Sequence, residues 1–431
     1  MTQIKLRRDT ETNWATANSV LSQGEPGLNS TTNSLKIGDG TTHWTDLQYI
    51  VPPLPPMPHI EYTGVVGSFL EFWRYSSSFP KLQYSSTGEF RTTGDGLYWL
   101  DQNFNDYDYD LSGTTSLHLR NIGGITGYLR VSSKAEVVMT TLDLGELAVV
   151  DEYVNIGGFS NTLVHFYANN LVDIGGNFEM YGNQTVNGIV MNYPALDRVT
   201  GNFYIDYNNG NSDYFLNTPA PRFPALTYVG SGMQIYNNSF TSWTDFTSLR
   251  NITYDFRFYQ NTNNDNALFD GPGMPALTRI KYGNLYYNSN IGMQHISEFA
   301  ALTRIDGCAY IYENPNLTSF PSFPVLTYVA GVYAYNNTSM TSLDGANSPG
   351  GWLPSILFMD GEVNFRSCAL DQTSVDDILL KLSILDGTNG TISYNNRNIY
   401  IDQGTNAIPS QTGLDAIAVL QARGCNVSVN S

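Results

Sequence analysis

The stretch FAALTRIDGCAYIYEN, residues 299–314, decides how the chain is read, because close variants of it recur. FPALTYVGSGMQIYNN begins at Phe223, MPALTRIKYGNLYYNSN at Met274 and FPVLTYVAGVYAYNN at Phe323. In register with Leu302 stand Leu147, Leu171, Leu196, Leu226, Leu249, Leu277 and Leu326, spaced 23 to 30 residues apart. A period of that length marks a solenoid, in which each repeat buries its apolar side only by stacking on its neighbours.

The second half of each repeat alternates apolar and polar residues and ends in Asn. It reads Phe178/Met180/Asn183, Phe203/Ile205/Asn208, Met233/Ile235/Asn238, Phe256/Phe258/Asn261, Leu285/Tyr287/Asn290, Ala309/Ile311/Asn314 and Val332/Ala334/Asn337, then Val363/Phe365/Cys368 before Leu370. Period two predicts a short strand with one face inward, and the Asn or Cys marks where the chain leaves it. An amide buried without partners costs roughly 1–3 kcal/mol, so stacked asparagines are expected to bond backbone groups of adjacent coils. Cys368 then fills the same small slot as a structural residue.

These residues resemble the leucine-rich repeat, whose consensus is L-x-x-L-x-L-x-x-N/C-x-L. The resemblance runs over about 117–425, with Phe, Met, Ile and Tyr often in place of Leu. The return side, often begun by F-P-x-L-T, is expected to be extended or turn-like, because proline disfavours helix. YVNIGGFSN from Tyr153 and GYLRVSSK from Gly127 keep the strand without the Asn, as terminal repeats do. After residue 370 the pattern changes. Ser374 with Asp377 suggests a helix start before Ile378, Leu379, Leu382 and Leu385, and Leu414, Ile417 and Leu420 a second helix, each feeding a final strand.

If those apolar positions face inward, the intervening pairs face outward: Glu179/Tyr181, Tyr204/Asp206, Gln234/Tyr236, Arg257/Tyr259, Tyr286/Asn288, Tyr310/Tyr312, Tyr333/Tyr335 and Asn364/Arg366. Nine of these sixteen are tyrosine: Tyr181, Tyr204, Tyr236, Tyr259, Tyr286, Tyr310, Tyr312, Tyr333 and Tyr335. With strands ~4.8 Å apart they should form a continuous aromatic ladder, the candidate ligand-binding surface, suited to a glycan or a protein. The plain alternative is that tyrosine favours exposed strands and stacks on itself or on a sister subunit.

Composition narrows the function. The 39 acids against 21 bases leave a net charge of −18 in 431 residues, which argues against nucleic acid as a partner. Cys308, Cys368 and Cys425 are odd in number and far apart, implying neither a disulfide framework nor a metal site. No run approaches the ~20 apolar residues of a membrane helix, and no secretory signal is evident, which points to folding in a reducing cytoplasm. His43, His59, His118, His165 and His295 are scattered, without HExxH or a G-x-S-x-G elbow. Asp106, Asp108 and Asp110 alternate as a calcium loop would, but Leu111 and Leu117 stand where an EF-hand needs Gly and Glu, so a solvated acidic turn is preferred. No cofactor and no enzyme activity is implied; a glycosidase with carboxylates from separate coils is the one catalytic class that local motifs do not address.

The N-terminus is a different kind of sequence. IKLRRDTETNW is followed by SVLSQGEPGLNSTTNSLKIGDGTTHWTDLQYI, then by VPPLPPMP at 51–58, a stiff proline spacer. LKIGDGTTHW lacks both GxxxxGK[ST] and GxGxxG, so it is read as a tight hairpin turn around Asp39, with Ile37 and Trp44 left to pack. Arg7, Arg8, Thr10 and Trp14, then Leu21 and Gly24, Glu25, Pro26 and Gly27, then Leu35 through Thr41 and Trp44 resemble the N-terminal domain of the phage major tropism determinant and related tail-fibre proteins. That resemblance implies a small β module forming intertwined trimers at the particle-proximal end of a fibre. Arg7, Arg8, Trp14, Glu25, Pro26, Gly38, Asp39, Gly40 and Trp44 would then serve oligomerisation and attachment. So short and polar a module would gain its missing burial from association.

The expected fold is therefore mainly β: a small N-terminal trimerising β module (1–50), a linker (51–58), a β-rich transitional region (59–116), a leucine-rich-repeat-like parallel β-solenoid (117–370) and a helical C-terminal cap (371–431). The expected protein is a homotrimeric phage virion tail fibre that contacts other tail or baseplate proteins. It recognises a host cell-surface receptor, with a glycan as one candidate, and does not insert into membrane. The alternative is a purely structural fibre, collar whisker or baseplate component; a bacterial adhesin is disfavoured by the missing signal.

Overall fold

The computed structural model describes residues 7–31, 34–47, 115–132, 139–159, 165–182, 192–207, 222–239, 246–262, 268–343 and 352–431, and six strands between residues 60 and 105 with the side chains of Phe90 and Phe104. The proline stretch 51–58, His59, the acidic run Asp106 to Asp110, Asn183 and Asn208 lie outside the described residues. The chain divides into two units, Met1–Pro58 and His59–Ser431.

In the first unit, β1 (Arg7–Asp9) pairs in parallel with β2 (Pro26–Asn29), and β2 pairs antiparallel with β3 (Ser34–Ile37). Between β1 and β2, α1 (Glu11–Ala17) starts where the Thr10 side chain accepts from the Asn13 amide at 3.3 Å, and ends at Asn18 in the left-handed region. Among the described residues the buried apolar cluster is Trp14, Leu21, Trp44 and Leu47. The two tryptophans stack at 4.0 Å between centroids and 11° between planes. Trp14 Nε1 donates to the Leu28 carbonyl at 2.9 Å, tying α1 to the sheet. Ile37 is 37% exposed, so Trp44 packs and Ile37 does not. The Asp39 turn is also not a hairpin: β3 already has β2 as its antiparallel partner, and the chain beyond Asp39 returns to bridge Val20 through His43.

The second unit is a parallel β-solenoid. Its long face is a 13-stranded sheet running from Phe104–Asn105 to Asn426–Val429, and its short face is a 10-stranded sheet of two- to four-residue strands from Tyr98–Leu100 to Tyr328–Val329. A third, 7-stranded sheet begins with the antiparallel strands Ile60–Val66, Phe69–Arg74, Leu82–Ser85 and Glu89–Thr92 and then turns parallel through Ser116–Arg120. Parallel stacking thus starts at Glu89–Thr92, inside the stretch 59–116 where the sequence shows no period, with Phe90 and Phe104 as the inward residues.

Three rows hold the coils together. The leucines Leu147, Leu171, Leu196, Leu226, Leu249, Leu277, Leu302 and Leu326 are all buried, each contributing about 1.5–3 kcal/mol by leaving water. The threonine after the last four of them except Leu249 bonds outward along the stack: the Oγ of Thr278 donates to the Arg250 carbonyl, that of Thr303 to Thr278 and that of Thr327 to Thr303, at 3.0–3.1 Å. The third row is the asparagine ladder. Asn238, Asn261, Asn290, Asn314 and Asn337 are fully buried, and each Oδ1 after the first accepts the backbone amide of the asparagine before it at 2.9–3.1 Å. Each Nδ2 donates to a strand carbonyl of the preceding coil, Ile205, Ile235, Phe258, Tyr287 and Ile311 in turn.

Cys368 continues this row as expected: its thiol donates to the Ala334 carbonyl at 3.0 Å, and burial pushes its pKa up to about 12. Asn406 then resumes it, with Nδ2 on the Phe365 carbonyl at 2.8 Å and Oδ1 accepting from the Leu370 amide at 2.9 Å. What aims each side chain inward is the preceding residue. Asn237, Gln260, Ser289, Glu313, Asn336 and Ser367 all have φ between 50° and 59°. This left-handed step costs a non-glycine residue roughly 1–2 kcal/mol, which the ladder bonds offset.

At the C-terminal end, α2 (Gln372–Ser383) and α3 (Gln411–Ala422) each feed a parallel strand, Asn398–Ile401 and Asn426–Val429. The start of α2 differs from the sequence expectation: Asp371 is the cap, accepting from the Ser374 amide at 2.8 Å, and Ser374 is buried inside the first turn.

Candidate functional site on the long face

Because the inward positions are taken by the core, the outward positions of the long face form two columns in strand register. The first runs Glu179, Tyr204, Gln234, Arg257, Tyr286, Tyr310, Tyr333 and Asn364. The second runs Tyr181, Asp206, Tyr236, Tyr259, Asn288 and Tyr312, with Tyr335 stacked on Tyr312. All nine tyrosines therefore lie on one sheet face, as the alternation requires.

The ladder is not continuous, which corrects the sequence reading. In the first column Tyr286, Tyr310 and Tyr333 stack at 4.7 and 4.8 Å with planes 5° and 15° apart. Gln234 and Arg257 separate them from Tyr204. In the second, Tyr236 and Tyr259 stack at 4.3 Å and Tyr312 and Tyr335 at 4.8 Å, with Asn288 between the pairs. Tyr181 ends the tyrosines against Gly157. Arg257 extends the longest run by lying 5.2 Å over Tyr286. Stacked neighbours cover each ring partly, and this burial raises the hydroxyl pKa of Tyr286, Tyr310, Tyr312, Tyr333 and Tyr335, and that of Tyr259 to about 12. Every one of these hydroxyls stays protonated at neutral pH and can donate as well as accept.

Sequence reasoning named the tyrosines and passed over the polar residues beside them. Gln234 Nε2 lies 3.4 and 3.5 Å from the two carboxylate oxygens of Asp206, whose pKa burial pushes up to about 6. Arg257 donates from Nε at 3.1 Å and Nη2 at 2.6 Å to one oxygen of Asp255. The other oxygen of Asp255 accepts from the Asn284 amide at 2.8 Å. Asp255 belongs to a second polar row at the corner between the faces: Asn177 Oδ1 accepts from the Asn202 amide, Asn202 from Gly232, and Asn284 from Cys308. Its signal was present in the recurring Asn or Asp just before the first inward residue, in GNF, GNF, YDF and GNL.

The expected attachment residues build the N-terminal module itself. Glu25 bonds Arg7 at 3.2 Å and the Ser22 amide at 2.8 Å; the Ser22 amide first and then Arg7 lower its pKa. Arg7 and Arg8 are exposed and Pro26 is half-buried. Asp39 accepts from the amides of Thr41 at 2.9 Å and Thr42 at 2.7 Å, bonds that with the Thr42 hydroxyl hold its carboxyl far below the usual range. Gly40 has φ +83°, and a Cβ on Gly38 would meet the Ser22 carbonyl at 2.3 Å, so both glycines are demanded by this turn. Lys36 Nζ donates to the Trp44 carbonyl at 2.7 Å, across the Trp44 ring.

Among the described residues no group of three His, Cys, Asp or Glu side chains is placed to hold a metal ion, and no helix is long and apolar enough to cross a membrane. Of the five histidines, His43 contacts the Asn18 carbonyl, His118 contacts Asp143 and His295 contacts Thr318.

Compared with known proteins, residues 4–42 match the family described as Major tropism determinant N-terminal domain. The N-terminal unit is thus similar to a domain of phage tropism determinants. No curated protein and no solved structure matches the chain.

Proposed function

We propose that this chain is a phage tail-fibre protein that attaches to the virion through its N-terminal unit and binds a host surface receptor through the long face of the solenoid. The observation that carries this reading is the junction of a segment similar to a tropism-determinant domain with a rigid sheet displaying stacked, half-exposed tyrosines. Stacked rings lose little side-chain entropy on binding and offer apolar faces with hydroxyl edges, which suits recognition rather than catalysis. The fibre is a homotrimer, because a module whose described core is four apolar side chains gains burial by association. Its other partners are tail or baseplate proteins.

The test is adsorption of the purified full-length protein to a panel of bacterial strains. The reading expects binding restricted to some strains and reduced by the double substitution Tyr310→Ala, Tyr333→Ala, with a solution mass three times that of one chain. Binding to no strain, together with binding to isolated tail or baseplate proteins, would instead support a purely structural fibre, for which tyrosines that already stack on one another are equally suited.

A further inference from the structure

The first outward column contains one break of a particular kind. Between Tyr204 and Tyr286 two consecutive strands present Gln234 and Arg257, so two aromatic side chains stand about 14 Å apart with polar groups between them. Over this break lies a hollow of about 240 Å³, lined by Tyr204, Gly232, Gln234, Tyr254, Asp255 and Arg257. Arg257 is drawn to one side of it by Asp255 and Tyr286, and Gln234 to the other by Asp206.

Gly232 is the second sign of a built hollow. At the equivalent position, one residue before the first inward one, the neighbouring coils carry the side chains of Asn202, Asp255 and Asn284. At Gly232 the nearest atoms are 3.4 and 3.5 Å away and φ is not positive, so the backbone would accept a side chain. What glycine does at this one corner is leave the space beside Tyr204 open.

We propose that this hollow is a subsite for one neutral pyranose residue of a surface glycan; the proposal rests on the receptor-binding reading and names its ligand class. The volume is below the ~300 Å³ at which drug-sized pockets begin, which limits it to about one sugar ring. Tyr204 supplies an apolar ring face for the C–H surface of the sugar, Gln234 and Arg257 supply donors, and Asp255 accepts from a sugar hydroxyl. Asp255 already pairs with the Arg257 guanidinium, which in a chain of net charge −18 disfavours an acidic sugar.

The experiment uses full-length protein and ligand-observed NMR with glucose, galactose, mannose, N-acetylglucosamine and N-acetylgalactosamine as probes, and sialic acid as the acidic comparison. At least one neutral sugar is expected to bind in the millimolar range. Its affinity should fall about tenfold or more in Gly232→Leu and in Gln234→Ala, each of which removes a contact or the space for it. Val419→Ala, at an exposed position on α3, should leave the affinity unchanged. Gln234→Ala alters only an outward side chain, so it reports even where Gly232→Leu disturbs the coil. Failure of all five neutral sugars to bind, preference for sialic acid, or indifference to both substitutions would overturn the subsite. Strain-specific adsorption that survives such a result would leave the receptor-binding reading standing.

Discussion

Replacing Asn290 by alanine isolates what the asparagine ladder contributes. Asn290 is fully buried; its Nδ2 donates to the Phe258 carbonyl at 3.0 Å and its Oδ1 accepts from the Asn261 amide at 3.0 Å. Alanine removes both, leaving one buried carbonyl and one buried amide without their partner at about 1–3 kcal/mol each, so the expected loss is about 2–6 kcal/mol. Asn288, two residues earlier and outward, is the control: its side chain makes a 3.4 Å contact to Ser289, and Asn288→Ala should cost under about 0.5 kcal/mol. Asn290→Cys should fall between them, because Cys368 shows that a thiol can donate to the same kind of carbonyl. Urea unfolding followed by far-UV circular dichroism reads all three. Each coil contacts only its neighbours, so a weak coil in mid-stack should also broaden or split the transition. Equal stability of Asn290→Ala and Asn288→Ala would refute the argument that the buried amides hold the coils.

Three further outcomes follow from the same geometry. Trp44→Ala removes the ring stacked on Trp14 and should cost the N-terminal unit about 3–5 kcal/mol, enough to unfold it, seen as loss of its near-UV signal. Asp206 has its folded pKa raised to about 6, chiefly by burial against the relief from Gln234 and with Glu179 adding repulsion. Its ionised form therefore destabilises the fold: stability should fall as pH rises from about 4 to about 6, and Asp206→Asn should gain about 1 kcal/mol at pH 7, after discounting for partial exposure, and lose that slope. Cys368, with its thiol pushed up to about 12, should resist iodoacetamide in the folded protein at pH 8 and react only on unfolding, read by mass spectrometry of the peptide; rapid labelling of the native chain would place it outside the ladder.

What the sequence made legible were the rows with a strict spacing. Leucine every 23 to 30 residues and Asn three positions after an inward residue can be read by counting, and among the described residues both rows are buried where the count places them. Asn406 escaped because it follows Ile401 by five residues, although its amide bonds the same way as the others. The left-handed residues escaped for a different reason: Gln260, Ser289 and Glu313 are not residue types that announce a positive φ, and the ladder bond beside each imposes it. At the start of α2, Ser374 and Asp371 are both good caps by type, and residue type alone does not say that Asp371 is the one that accepts from the Ser374 amide. The aromatic surface was legible as a set of positions but not as stacks, since the breaks at Gln234, Arg257 and Asn288 matter only once strands are in register.

The division of labour within each coil bears on recognition. Stability rests on the leucine, threonine and asparagine rows, all of which point into or along the stack. The outward columns need only strand-compatible residues, and they already hold Glu, Tyr, Gln, Arg, Asn and Asp at equivalent places in successive coils. A substitution there changes the exposed surface at little cost in folding, whereas one in the inner rows costs several kcal/mol. The same separation makes outward substitutions clean probes: a change in adsorption from Tyr310→Ala or Gln234→Ala can be assigned to the surface, because the coil beneath it is held by the leucine, threonine and asparagine rows. Two sites three or more coils apart on this face should also act additively, because nothing in a stack of nearest-neighbour contacts links them except the rigid sheet itself.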